Sequence, residues 1–327
     1  MNSQADKTHP VTRRQFLQTS AMAAMGGKFL VMGNRSVSGK EREANSKAQV
    51  NFGFSLYGMR ALKTSEALRT CAKIGYDSVE LVANKDWPCA PETLSKAARK
   101  EIRKQLTDLN LMVPALMENL RVVGDAAAVK RNLERLKRAG ELGHDISPDK
   151  PPVIETVLGG RPQQWNQLKS KMVAGLKQWA KAAKAARTII AIKAHVGGAL
   201  HTPHDAKWLV DEINSPWIRL AYDFSHFQLR DFDLEKSLAI MINDSVFIHV
   251  KDKTGSAKKF RFLLPGEGDI DYRKYFTLLK QHKYRGSVMV EVSGQIHGKK
   301  GYDPIAAART SYRNLAGAFK AAGLQRG

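Results

Sequence analysis

The chain has 327 residues, 43% of them hydrophobic, enough to bury one large core or two small ones. No run approaches the roughly 20 uninterrupted apolar residues of a membrane-spanning helix, so no membrane span is expected. The formal charge is +22, from 53 Lys and Arg against 31 Asp and Glu. A surplus of this size can mark nucleic acid, an anionic surface or anionic substrates. Here Lys96, Arg99, Lys100, Arg103 and Lys104 fall where a helix is expected, without the interleaved aromatics that stack bases. The charge therefore reads as a solvated helical surface, and no nucleic-acid partner is expected.

The first 47 residues read as an address. Thr12-Arg13-Arg14-Gln15-Phe16-Leu17 is a twin-arginine pattern, followed from Thr19 to Gly33 by a mildly apolar stretch of small residues broken by Lys28. That combination reads as a Tat export signal, which places the mature protein in the periplasm or another extracytoplasmic space. Ser36-Val37-Ser38 and Ala44-Asn45-Ser46 are both candidate cleavage sites.

From residue 48 onward, short β-rich runs alternate with longer amphipathic segments. The expected strands are Asn51–Tyr57, Ser78–Val82, Met112–Met117, Pro152–Leu158, Thr188–His195, Ile218–Phe224, Ser245–Val250 and Ser287–Val292. The expected helices are Thr64–Ile74, Pro91–Leu109, Ala126–Leu142, Pro162–Ala186, Thr202–Ile213, Tyr272–His282 and Pro304–Ala322, with only a weak one after the sixth strand. Thr202-Pro203 and Asp303-Pro304 are helix-start signals, and Gly75 and Gly323 are stops. Lys251 to Asp271 reads as a long loop, and loops of that length are usually functional. Eight strand–helix units over residues 48–327 give an α/β fold of one domain, a (β/α)₈ TIM barrel. No GxGxxG opens the first helix, as an open dinucleotide-binding sheet would require. Cys71 sits in an expected helix and Cys89 in a loop; a disulfide between them is left open, and no zinc spacing exists.

In such a barrel the chemistry lies at the C-terminal strand ends. Asp223, His249 and Glu291 end the sixth, seventh and eighth strands, Glu155 lies in the fourth, and Glu80 in the second. A charge in an apolar strand is costly unless it is paired or binds a metal. A mixed oxygen and nitrogen set suits Mn²⁺, Co²⁺, Mg²⁺ or Zn²⁺.

Several segments then resemble one family in its own order. They are Ala191-Ile192-Lys193-Ala194-His195-Val196-Gly197-Gly198 with His201-Thr202-Pro203, Tyr222-Asp223-Phe224-Ser225-His226, Ile248-His249-Val250-Lys251-Asp252, Leu264-Pro265-Gly266-Glu267-Gly268-Asp269-Ile270-Asp271, and Val290-Glu291. From about Asn51 to Ala322 the chain resembles the xylose isomerase-like sugar phosphate isomerases and epimerases, within the superfamily that includes the apurinic (AP) endonuclease family 2.

The resemblance implies one divalent metal held by Glu, Asp, His and Glu. The last three fall on Asp223, His249 and Glu291. The first falls on Lys193 if it belongs to the fifth strand, where a lysine replaces the glutamate, or on Glu155 if it belongs to the fourth. His195 is a further candidate ligand. The implied activity is isomerisation or epimerisation of a keto-sugar or related hydroxy-carbonyl compound through an enediolate, with Glu291 as ligand and base and Glu155 as second carboxylate. His226 would touch a substrate oxygen. Lys193 would stabilise an enolate, form a Schiff base, or simply pair with Glu155 or Glu291. Glu80, His195 and Lys251 are candidate substrate contacts, with Lys251 equally readable as a solvated loop lysine. Members are often dimers or tetramers, so a homo-oligomer is implied.

Of three rival readings, two remain. The same enolisation supports a lyase that cleaves 3-keto-glycosides by β-elimination. A non-catalytic sugar-binding barrel without metal is kept open by Lys193. A nuclease is set aside, because the second and third strand ends, Glu80-Leu81-Val82-Ala83 and Met117-Glu118-Asn119, lack the histidines of its trinuclear zinc site.

Overall fold

The computed structural model describes residues 49–326. The export signal expected within the first 47 residues lies outside them. Eight parallel strands pair in sequence order: β1 (Gln49–Ser55), β2 (Ser78–Val82), β3 (Ala115–Met117), β4 (Val153–Val157), β5 (Ile190–Lys193), β6 (Ile218–Asp223), β7 (Ser245–Val250) and, eighth in the barrel, β10 (Ser287–Val290). β10 pairs back onto β1, Asn51 opposite Ser287 through Phe54 opposite Val290, which closes the barrel. A short β11 (Gln325–Arg326) extends the start of β1.

The helices form where the sequence offers a cap and one apolar face: α1 (Thr64–Ile74), α2 (Lys96–Asp108), α3 (Ala126–Ile146), α4 (Trp165–Ala186), α5 (Pro203–Ile213), α6 (Phe224–Gln228), α7 (Leu234–Met241), α8 (Tyr272–Gln281), α9 (Gly294–His297) and α10 (Pro304–Ala321). Ser95, Asp125, Thr202, Asp271 and Asp303 each accept a backbone N–H of the first turn. The charged face of α2 is solvated as expected: Lys96, Lys100, Arg103 and Lys104 are exposed, while Ile102 and Leu106 are buried.

Three expectations change. The stretch read as a long loop after β7 contains an antiparallel hairpin, β8 (Asp252–Ser256) with β9 (Lys259–Leu263). Phe260 and Phe262 alternating about Arg261 is the period-two signal that marks it. The sixth unit carries two short helices, α6 and α7, in place of one weak one. Cys71 and Cys89 are both free and buried, so no disulfide joins them.

What positions the site is the period of two along each strand. One inward layer is small or apolar: Gly53, Ala115, Ala191, Ala221, Phe247 and Met289, with the last five packed as one buried cluster. Two residues further along, on every strand but β3, where Met117 falls, the inward layer is polar: Ser55, Glu80, Glu155, Lys193, Asp223, His249 and Glu291, all buried. The apolar layer is a floor, and the polar layer is the bottom of the mouth. Gly53 allows the floor to close, because a Cβ there would lie 2.6 Å from Met289 Sδ and also collide with Ser78 Oγ. Gly53→Ala is expected to lower stability by about 1–3 kcal/mol, the usual cost of overpacking. Urea unfolding followed by circular dichroism checks this, and an unchanged midpoint would show that the floor is not close-packed.

Candidate active site

β5 ends on Lys193, its stem fixed by strand pairing with Val157 and Ala221 on either side. Its ammonium is buried among three acceptors. Nζ lies 2.9 Å from His249 Nδ1, 3.1 Å from Glu155 Oε1 and 3.4 Å from Glu291 Oε2. Burial pulls against the charge, but Glu155 and Glu291 outweigh it and hold the ammonium above its ordinary pKa. A charged Lys193 has no free amine for the Schiff-base role.

Lys251, one residue beyond β7, is the second buried cation. It pairs with Asp223, lies 2.6 Å from Glu291 Oε2, and sits 5.0 Å from the centre of the Phe262 ring on β9. The reading of Lys251 as a solvated loop lysine is therefore corrected: the hairpin folds over it. Burial would raise the Glu291 carboxyl, but Lys193 and Lys251 beside it prevail and hold it well below the usual carboxylate range. Burial raises Glu155, with Lys193 opposing. Neither Glu155 oxygen has a directed hydrogen bond among the described residues, although Lys193 lies at ion-pair distance.

Glu80, expected to reach a sugar hydroxyl, lies fully buried beneath His249 instead. Its Oε2 accepts from Ser55 Oγ and lies 3.0 Å from His249 Nε2. This carboxylate favours the tautomer with hydrogen on Nε2, which turns the Nδ1 lone pair toward Lys193. Ser55 was missed in the sequence. Its signal was its place two residues beyond Gly53 on an inward face.

Asp223 ends β6 and caps α6, accepting from Ser225 N at 3.2 Å and Ser225 Oγ at 2.6 Å. His226, one turn on, has Nε2 3.4 Å from Asp223 Oδ2, while its Nδ1 takes the Val196 N–H at 3.4 Å. Burial, then the neighbouring His195 and Lys251, hold its pKa well below the ordinary value. His195 packs against it with the rings tilted and their centres 4.2 Å apart, and accepts the Gly197 N–H at 3.1 Å. The loops after the first, second and eighth barrel strands add a wall the sequence did not suggest: Tyr57 stacks on Trp87 at 5.0 Å, with His297 edge-on at 4.6 Å.

The hairpin and the loop after it hang on Asp252. Its carboxylate accepts N–H groups from Gly266 at 2.6 Å, Gly268 at 3.2 Å and Ile270 at 3.3 Å. A Cβ on Gly268 would lie 2.9 Å from the Asp252 side chain, so the loop needs glycine there. A cavity of about 200 Å³ opens beside Lys193 and His195, between Val157, Gly160, Gly197 and Leu200. This is below the roughly 300–1,000 Å³ of drug-sized sites and suits a compact polar molecule. A larger cavity of about 600 Å³ lies at the opposite end, around Asn51, Met112, Pro114 and Ser287, away from the polar layer.

Asp223, His249 and Glu291 do come together, with one ligand atom of each within 4.8 Å of the others. The donor types suit a divalent ion. The space between them does not. The Nδ1 lone pair of His249 faces the Lys193 ammonium, and Glu291 Oε2 is shared by both ammonium groups. Lys251 also holds Asp223. One lone pair cannot accept from an ammonium and bind a metal at once. As arranged, the set does not fit a divalent ion alongside both lysines, and Glu155, the candidate fourth ligand, is an ion-pair partner of Lys193.

Residues 68–316 match the family model described as a xylose isomerase-like TIM barrel. The chain is 24% identical over 245 residues to the L-ribulose-5-phosphate 3-epimerase UlaE of Shigella flexneri serotype 5b (strain 8401), covering 69% of this chain and 81% of that one. Among solved structures it is similar to the IOLI protein with a bound zinc atom, at a TM-score of 0.69 and 18% identity over 83% of this chain and 99% of that one. It is also similar to the 3-keto-D-glucoside 4-epimerase YcjR of E. coli in its apo form, at a TM-score of 0.64 and 17% identity over 82% of this chain and 100% of that one. At these identities the two structures speak for the fold.

His195 gives the mouth a pH signature. Burial, then Lys193 and Lys251, lower its pKa from 6.5 to about 4. The unfolded chain therefore takes up a proton that the folded chain refuses. The stability tied to the neutral ring is intact above pH 6.5 and is lost as the pH falls toward 4. Thermal melts of wild type and His195→Gln across that window should diverge, with the wild type losing stability more steeply; parallel curves would show that His195 titrates freely.

Proposed function

Given that the chain belongs to the xylose isomerase-like TIM barrel family, we propose that it is an isomerase or epimerase of a keto-sugar or related hydroxy-carbonyl compound, working through an enediolate. The observation that carries this reading is Glu291. Of the four acids in the polar layer it alone opens to the mouth, at 8% exposure against 0% for Glu80, Glu155 and Asp223. It is held ionised between two ammonium groups, as a base at neutral pH must be. The curated relative named as a sugar epimerase supports the same class.

In this reading the Glu291 carboxylate takes the proton from the carbon beside the substrate carbonyl. The electron pair moves onto the carbonyl oxygen, and the charge that develops there is met by the cations around Glu291. Return of the proton to the neighbouring carbon gives isomerisation. Protonation on the other face gives epimerisation and needs a second acid there; Glu155 is the candidate, across Lys193 from Glu291 and closed off from the mouth until a substrate displaces that contact. The neutral imidazoles of His195 and His226 border the mouth and can order substrate hydroxyls. A divalent ion, if one entered, would take Asp223, His249 and Glu291 as ligands, and the two lysines would have to withdraw. No step here depends on it.

Export belongs to the same proposal. The twin arginines Arg13 and Arg14 would send the folded barrel out of the cytoplasm, where carbohydrate breakdown products are its natural substrates. Replacing both with lysine should leave the protein in the cytoplasmic fraction, and unchanged export would remove the assignment.

The chemical reading is tested by deuterium wash-in. Keto-sugars, including 3-keto-glycosides, are incubated with the enzyme in D₂O and followed by NMR. Solvent deuterium should appear at the carbon beside the carbonyl, and Glu291→Gln should slow this by about 10²–10⁴-fold, the usual worth of a positioned base. Binding without exchange would point to a sugar-binding barrel, and an unsaturated product would point to a β-eliminating lyase.

A further inference from the structure

We propose that the Lys193 ammonium stands in the place of the metal ion, so that this barrel polarises its substrate carbonyl with a built-in cation and works without a divalent metal. The proposal deepens the isomerase or epimerase reading and rests on it for the identity of the substrate.

The geometry is that of a filled cation site. A lysine ammonium has three hydrogens to donate. Lys193 Nζ has three partners, hydrogen-bonding His249 Nδ1 at 2.9 Å and Glu291 Oε2 at 3.4 Å and ion-pairing with Glu155 at 3.1 Å without a directed hydrogen bond, which leaves one hydrogen to donate. Two of them, His249 and Glu291, belong to the triad that could hold a metal. The third member, Asp223, is bridged to Glu291 by Lys251. Every donor of the triad thus has an ammonium partner, and the two ammonium groups together carry the charge of one divalent ion.

Lys193 is also placed to act. Its backbone is paired between β4 and β6, and its side chain is buried and held by His249, Glu291 and Glu155. Its side chain forms part of the wall of the cavity at the mouth. A carbonyl oxygen entering there would meet a buried positive donor. Such preorganised donors stabilise charge as it develops on an oxygen. The balance is simple. The C–H proton goes to the Glu291 carboxylate, the electron pair goes to the carbonyl oxygen, and Lys193 stays an ammonium throughout while it holds that oxygen. The proton then returns to carbon, with no redox change and no co-reactant.

The first test is elemental analysis of the purified full-length protein after incubation with Mn²⁺, Co²⁺ and Zn²⁺ and desalting. No stoichiometric metal is expected in the wild type. Lys193→Glu, which supplies a carboxylate in place of the ammonium, should gain about one equivalent, seen by calorimetric titration as well. One equivalent in the wild type overturns the proposal. So does a folded Lys193→Glu that binds none, because the position would then not be a cation site. If circular dichroism shows that variant unfolded, the wild-type metal content decides alone.

Deuterium wash-in with chelator present separates this result from the functional reading. Exchange that persists in the wild type and falls by about 10²–10³-fold in Lys193→Met supports a catalytic cation. Exchange that stops with chelator and returns with added metal overturns it. An absence of exchange under every condition removes the enzymatic reading, and with it the catalytic half of the proposal, while the metal contents still report who occupies the site.

Discussion

Two ammonium groups buried among four carboxylates hold the mouth of this barrel together. A carboxylate taken out of water is costly unless a cation or several hydrogen bonds meet it. Glu80, Glu155, Asp223 and Glu291 all sit in the polar layer, and Lys193 and Lys251 are the cations that reach three of them. Glu80 is met instead by Ser55 and the Nε2 edge of His249. The rest of the site is arranged around these pairs. His195 and His226 are held below their ordinary pKa beside them, the hairpin covers Lys251, and Glu291 is kept ionised where the mouth opens.

The hairpin shows how distant parts of the chain serve that cluster. β8 begins at Asp252, directly after Lys251, and β9 brings Phe262 over the Lys251 ammonium. Asp252 turns the other way and gathers three N–H groups of the following loop. One dipeptide thus points a cation into the barrel and a carboxylate into the loop that screens it. The Leu264–Asp271 segment has a structural reason for its two glycines: close approach to Asp252 at Gly268, and a positive φ of 83° at Gly266.

A family fold and a family donor set do not by themselves fix the chemistry. Asp223, His249 and Glu291 lie close enough to share one ion, yet what they face is the pair of ammonium groups of Lys193 and Lys251. The proposed enolisation asks only for a base and a positive charge near one oxygen, and a metal site or an ammonium site can supply them.

The sequence by itself determined the fold. Apolar periodicity with capped helix starts gave eight strand–helix units, and the charges interrupting Val153–Val157, Ile190–Lys193, Ile218–Asp223 and Ser245–Val250 marked the polar layer, because side chains two apart on a strand share a face. It also marked Lys193 as the residue out of place. The hairpin was legible in Phe260 and Phe262 but hidden by the charges around them. What only the tertiary structure decided is who touches whom. Lys193 meets His249 across 56 residues, and Glu80 meets the same ring across 169. Those contacts depend on the closure and register of the barrel, which set inter-strand distances to within an ångström, and no local pattern in the chain encodes that.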